Sequence, residues 1–201
     1  MLVVYTVITN NYDRLKDPVK KAAGWNYICF SDKPIQSKIW EWIPYHEDNR
    51  KVKILGHMYF DGVVLYVDGN IQIMGDLNKL LTEIPQRFSI RKHNKRNCIF
   101  AEAKELQRRG MVPEKILIPQ LERYFNDGFP TEWGLGENGI MLRDFSDVLV
   151  QKINEAWWDE YCGGVHRDQV ALMYCFWKQQ TVPDLIDCSV ITKFFRKRKH
   201  T

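Results

Sequence analysis

Residues 63–73 read Val63-Val64-Leu65-Tyr66-Val67-Asp68-Gly69-Asn70-Ile71-Gln72-Ile73. The first five side chains are apolar on both alternating faces. That pattern belongs to a strand covered on both sides, as in a mainly parallel sheet. The run then stops on a carboxylate. In open α/β sheets ligands gather at the carboxyl ends of strands. An Asp delivered there, with a second oxygen donor two residues later, has the chemistry to hold a divalent cation against a diphosphate. Asp-Gly and Gly-Asn are also ordinary turn pairs, and a plain turn accounts for the same residues.

The rest of the chain repeats the alternation of strands and helices. Apolar runs at 2–8, 27–30 and 39–43 predict three strands, and a helix capped by Asp48 or Asn49 runs to about Tyr59. After the central strand come a short piece at 71–73, a brief helix at 76–81 and a strand at 88–90. Helices are predicted over 98–108 and 113–125, a loop over 128–138 and a strand over 140–142. Two more helices, 145–161 and 168–178, precede an apolar piece and a basic end at about 194–201. This order predicts one α/β domain over residues 1–201, a Rossmann-like, mainly parallel central sheet flanked by helices.

Bulk composition sets limits. A chain of 201 residues with 45% hydrophobic and 27% charged residues has the makings of a sizeable core and is not disordered. A net charge of +4 suits a phosphate-bearing ligand without demanding nucleic acid. The five cysteines form no Cys-x-x-Cys pair, so the expectation is reduced thiols and a cytoplasmic setting. No stretch is long enough to span a bilayer.

Four of the strands finish on polar signatures: Thr9 to Asp13, Ser31-Asp32, Asp68-Gly69-Asn70, and His93 to Arg96. If they share one sheet edge they outline a site. Arg50, Lys53 and His57 fall at i, i+3 and i+7, so a continuous helix would put them on one face. The apolar face belongs to Val52, Leu55 and Tyr59, which points the cations outward toward a pyrophosphate or merely toward solvent. Arg91 to Arg96 is a phosphate-binding loop or a solvated one. Glu137, after glycines 134 and 136, accepts hydrogen bonds from sugar hydroxyls, acts as a base, or caps a turn. Asp168 starts a helix, where the dipole alone favours it.

Taken in order, these blocks resemble a known family, the glycosyltransferase-like domain of plant pectin and mucilage proteins and of bacterial and viral relatives. The resemblance rests on Val4-Tyr5-Thr6, Asn11-Tyr12-Asp13, Tyr27 to Asp32, Arg50 with Lys53 and His57, and Val67 to Ile71. It continues through His93, Arg96, Cys98-Ile99, Glu102-Ala103, Gln120 with Tyr124, and Gly128-Phe129-Pro130. It ends with Gly134-Leu135, Glu137, Gly139, Arg143, Trp157-Trp158, Glu160 and Arg167-Asp168-Gln169. It implies a GT-A fold, a nucleoside diphosphate sugar (a UDP-sugar for example) and Mn²⁺ or Mg²⁺. Thr6, Asn11, Tyr12, Asp13 and Asp32 would hold the nucleoside. Arg50, Lys53, His57, His93 and Arg96 would meet the phosphates. Asp68 and Asn70 would ligate the metal, with no third protein ligand assigned, and Asp168 and Glu137 would serve catalysis. The acceptor hydroxyl lies on a glycan, a small molecule or a modified DNA base in a bacterial or phage setting. The competing readings are a nucleic-acid-binding module resting on the basic loop and tail, and a metal-dependent phosphodiesterase using Asp68.

Overall fold

A computed structural model describes residues 2–200. Its core is a seven-stranded sheet. The strands are β1 (Leu2–Ile8), β2 (Trp25–Ser31), β3 (Glu41–Pro44), β4 (Val63–Val67), β6 (Phe88–Lys92), β7 (Gly136–Asp144) and β8 (Asp184–Ile186). They lie in the order β3-β2-β1-β4-β7-β6-β8. A second, two-stranded sheet joins β5 (Ile71–Ile73) to β9 (Phe195–Lys197). β1, β2, β3 and β4 run parallel, as do β6 and β8, whereas β7 is antiparallel to both its neighbours.

Two-residue alternation explains why the central strands are apolar throughout. Val3, Tyr5 and Val7 of β1, with Val64 and Tyr66 of β4, enter one core cluster. Val4, Leu65 and Val67 enter the other. Each face is closed by helices. The first is covered by α1 (Asn49–Ile54), α3 (Ile99–Arg108), α4 (Glu114–Asn126), α5 (Val148–Gly163) and α6 (Asp168–Lys178). The second is covered by α2 (Leu77–Glu83) and α7 (Cys188–Phe194). Short carboxylate caps start three of these helices: Asp48, Asp76 and Asp147 accept from the backbone N–H two residues on, at 2.8, 2.9 and 2.8 Å.

Three expectations change. The helix predicted from residue 48 to about Tyr59 stops at Ile54 and continues as one 3₁₀ turn, Gly56–Met58. The periodicity could not show this break, because it is imposed from the sheet below. Arg143 of β7 is fully buried. It donates to the carbonyls of Lys53 (2.7 Å) and Ile54 (3.0 Å), and to Tyr5 Oη (2.6 Å) and Asn154 Oδ1 (3.0 Å). The Tyr5 hydroxyl donates in turn to Lys53 O at 3.0 Å. These bonds take the carbonyls that end the helix. Second, the loop expected over 128–138 gives way at Gly136 to a nine-residue antiparallel strand. Third, Arg91 and Lys92 belong to β6 and not to a basic loop.

Candidate active site

β1 and β4 end side by side, and β7 starts at the same edge because it runs the opposite way. With α1 and the first residues of α6 they surround a cleft of about 520 Å³. Asp68, Gly69, Asp13, Arg50, Lys53 and Asp168 line it, together with Arg91, His93, Glu137 and Asn138. A second cleft of about 520 Å³ adjoins it, lined by Asn11, Asp32 and Ser31, with Asp13 shared between the two.

The centre of the first cleft is a charge cluster. Lys53 Nζ lies 2.7 Å from Asp168 Oδ2 and 3.2 Å from Asp68 Oδ1. Its side chain is only 3% exposed and sits over the Tyr66 ring, 5.0 Å from the centroid. This overturns the outward orientation expected for the α1 cations. Arg143 and Tyr5 hold the Lys53 backbone against the sheet, and two carboxylates receive its charge there. Burial pushes the Asp168 carboxyl upward, but Lys53 and Arg50 outweigh it and hold the group below its usual range. Arg50 Nε is 3.9 Å from the same carboxylate. Burial lowers the Arg50 pKa, but Asp168, Tyr66 and Asp68 prevail and raise it. Asp168 is also fixed from behind, its carbonyl accepting from Trp157 Nε1 at 2.7 Å. Tyr66 Oη donates to Asp68 Oδ1 at 2.8 Å, and burial followed by that carboxylate raises the phenol well above its usual value.

Asp68 presents its carboxylate because β7 yields to it. Pairing between β6 and β7 jumps from Ile90–Met141 to Arg91–Glu137, so Asn138, Gly139 and Ile140 bulge. Asp68 N–H donates to Gly139 O at 2.8 Å, and a Cβ on Gly139 would stand 2.9 Å from Asp68 Oδ2. Glycine is the residue that lets the two backbones approach so closely.

The expected residues divide into groups. Asp68, Asp168, Glu137, Arg50, Lys53, His93, Tyr12 and Asp13 share the first cleft, and Asn11 and Asp32 the second. Glu137 faces Arg91 Nη1 at 3.3 Å. Asp32 Oδ2 accepts from Asn10 N–H at 2.9 Å and holds the turn after β1, where Asn10 and Asn11 have positive φ. The remaining four lie elsewhere. Thr6 is enclosed in β1 with no partner for its hydroxyl. His57, displaced by the helix break, meets Asn154 at 3.4 Å and Glu155 at 3.7 Å. Arg96 Nε is bound to Glu102 Oε2 at 2.5 Å. Asn70 is 2% exposed, its amide donating to Arg198 O at 3.3 Å and lying 3.2 Å from His200 Nε2. His93 Nδ1 accepts from the backbone of Lys95 and Arg96 at 3.1 and 2.9 Å, and burial, then Arg96, lower its pKa. Residues given no site role by the sequence also line the cleft, among them Asn49, Arg167, Gln169, Lys197 and His200. His200 came from the basic end, where charge was the only signal. Its ring lies 2.8 Å from Asp13 Oδ1 and stacks at a tilt on Tyr12.

The donor set expected for a divalent metal does not fit as arranged. Asp68 Oδ1 is engaged by Lys53 and Tyr66. Asn70 is not among the residues that line the cleft, and its Oδ1 is buried without a partner. Among the described residues no group of three His, Cys, Asp or Glu side chains stands close enough to hold an ion. In the basic loop and tail, Arg91 and Arg96 meet Glu137 and Glu102 and Arg198 meets Gln72, whereas Lys92, Lys95, Arg196, Lys197 and Lys199 are exposed. No helix is long and apolar enough to cross a membrane among the described residues.

With this geometry in place, the comparisons with known proteins are informative. The TOD1/MUCI70 glycosyltransferase-like domain matches residues 38–185. No curated protein matches the chain. Among solved structures, mouse xyloside xylosyltransferase 1 in its apo form is similar with a TM-score of 0.53 at 10% identity, over 92% of this chain and 85% of that one. The apo WbbM bifunctional glycosyltransferase is similar with a TM-score of 0.55 at 10% identity, over 87% of this chain and 37% of that one. At such identities the likeness is one of fold, and it agrees with the mixed α/β sheet described above.

Proposed function

The chain belongs to the TOD1/MUCI70 glycosyltransferase-like domain family, and on that premise we propose that it transfers a sugar from a nucleoside diphosphate sugar to an acceptor hydroxyl. The observation that carries this reading is Lys53, buried between Asp68 and Asp168 at the sheet edge with Arg50 beside it. Breaking a glycosyl–phosphate bond leaves negative charge on the diphosphate. Preorganised cations aimed at that charge lower the barrier. Lys53 and Arg50 take this part, with Arg91 and Arg167 on the cleft wall. The two carboxylates keep the cations in place in the free protein, so the ammonium is oriented before the donor arrives.

In this reading the nucleoside occupies the second cleft, between Asp13 and Asp32, and the diphosphate lies along Arg50, Lys53 and Arg91. Asp168 remains ionised and favours positive charge at the sugar's anomeric carbon. Glu137 binds sugar hydroxyls or receives the acceptor proton. The expected Mn²⁺ or Mg²⁺ is not carried into the proposal, because its donors do not assemble. The acceptor stays at the level of a hydroxyl on a glycan, a small molecule or a modified base. A cytoplasmic setting is supported by five unpaired cysteines.

The test is a thermal-shift screen of nucleoside diphosphate sugars, with EDTA and with Mn²⁺, followed by turnover of any donor that binds. One donor should raise Tm, and should do so in EDTA as well. Donor binding seen only with Mn²⁺ would restore the metal. Absence of binding and turnover across the panel in both conditions would remove the transferase reading.

A further inference from the structure

Asn138 has no part in the site as assigned so far, yet its side chain is the most anomalous in the cleft. It is 5% exposed and lines the cleft wall, and neither its Oδ1 nor its Nδ2 has a hydrogen-bond partner. Arg91 Nε, on the same wall across Glu137, is likewise buried and unpartnered. A buried amide left unmatched is destabilising, and an apolar side chain of similar size would avoid that cost. The β7 bulge is what places Asn138 there, and Asp68 N–H holds the bulge through Gly139 O.

Both ends of the amide are unmet, and this selects the ligand chemistry. Nδ2 needs an acceptor and Oδ1 needs a donor. Phosphate oxygens and carboxylates only accept, so they satisfy half of it. A hydroxyl group donates and accepts and satisfies the whole. We propose that Asn138 is the residue that reads hydroxyl groups of the donor's sugar ring, with Arg91 Nε as a second hydrogen-bond donor to the same ring. The ribose of the nucleoside is also hydroxylated, but the cleft assigned to it lies on the far side of Asp13. This assignment rests on the transferase reading and adds to it a residue that selects the sugar. A site built to hydrogen-bond a hydroxyl discriminates strongly against an analogue lacking it.

The experiment is calorimetric titration of the intact protein and of Asn138→Ala and Asn138→Leu with UDP, UDP-glucose, UDP-galactose, GDP and GDP-mannose. The variants should bind the bare diphosphate within about twofold of the parent. They should lose roughly 10- to 100-fold in affinity for the sugar conjugate that the parent prefers. Melting of the ligand-free Asn138→Ala protein should be no lower than that of the parent, which separates this role from a structural one. Equal losses for diphosphate and conjugate would move the contact to the ribose or phosphates and overturn the assignment. So would unchanged affinity for both, or a defect confined to the acceptor's KM. If the parent binds none of the five, the transferase reading itself fails, and this assignment with it.

Discussion

Replacing Lys53 by Met tests the centre of the site through stability as well as activity. Methionine keeps the volume and removes the charge. In the parent, burial opposes ionisation of Asp168, but Lys53 and Arg50 more than offset it and the pKa is lowered. A lowered carboxyl pKa adds stability above the unfolded value of about 4, and that stability is lost as pH falls through the folded value. Without Lys53 the burial effect faces Arg50, at 3.9 Å, and the weaker influence of Arg167. The Asp168 pKa then rises above its unfolded value and the sign reverses: the group favours the fold in acid and loses that contribution as pH rises through the new value. Truncating one partner of a buried pair costs about 3–5 kcal/mol. Asp68, whose side chain is 36% exposed, is left out because solvent screens it. For a domain of this size 1 kcal/mol moves Tm by about 2–4 °C, so the variant should melt about 6–20 °C lower at pH 7. Scanning calorimetry from pH 4 to pH 7 should show a gap that is small in acid and widens toward neutrality. A gap independent of pH, or one that narrows, would refute the charge coupling on which the site is built. Donor turnover at pH 7 should fall at least 100-fold, beyond what unfolding accounts for.

Two further perturbations probe the supports of this centre. Gly139→Ala places a Cβ 2.9 Å from Asp68 Oδ2, so the carboxylate must turn; turnover should drop about tenfold or more while circular dichroism stays native, and full activity would show that the orientation of Asp68 is unimportant. Arg143→Met strands the Ile54 carbonyl, leaves the Lys53 carbonyl to the Tyr5 hydroxyl alone and removes a cation whose pKa burial already lowers; a loss of about 3 kcal/mol or more is expected in urea denaturation, and a neutral result would mean that the end of α1 does not depend on the guanidinium.

Much of the architecture was legible from local pattern. The double-sided apolar runs of β1 and β4 mark strands buried on both faces, and the carboxylate after β4 marks the sheet edge. Asp168 at a helix start and Glu137 beside glycines carried local signals too, and both line the cleft. Two of the four misplacements, and the inward turn of Lys53, share a cause. His57, Lys53 and Asn70 were read along their own segment, whereas their orientations are imposed by groups 48 to 130 residues away: Tyr5 and Arg143 for α1, and Arg198 and His200 for Asn70.

Residue order alone therefore settles what the chain must bury and where its strands run out of apolar residues, because both follow from periodicities of two and 3.6 within a single segment. It does not settle which way β7 runs, where α1 stops, or that Asn138 is sealed into the cleft wall with its amide unmatched. Those depend on hydrogen bonds and charge contacts between segments distant in the chain, whose energies exist only once the sheet has brought them together.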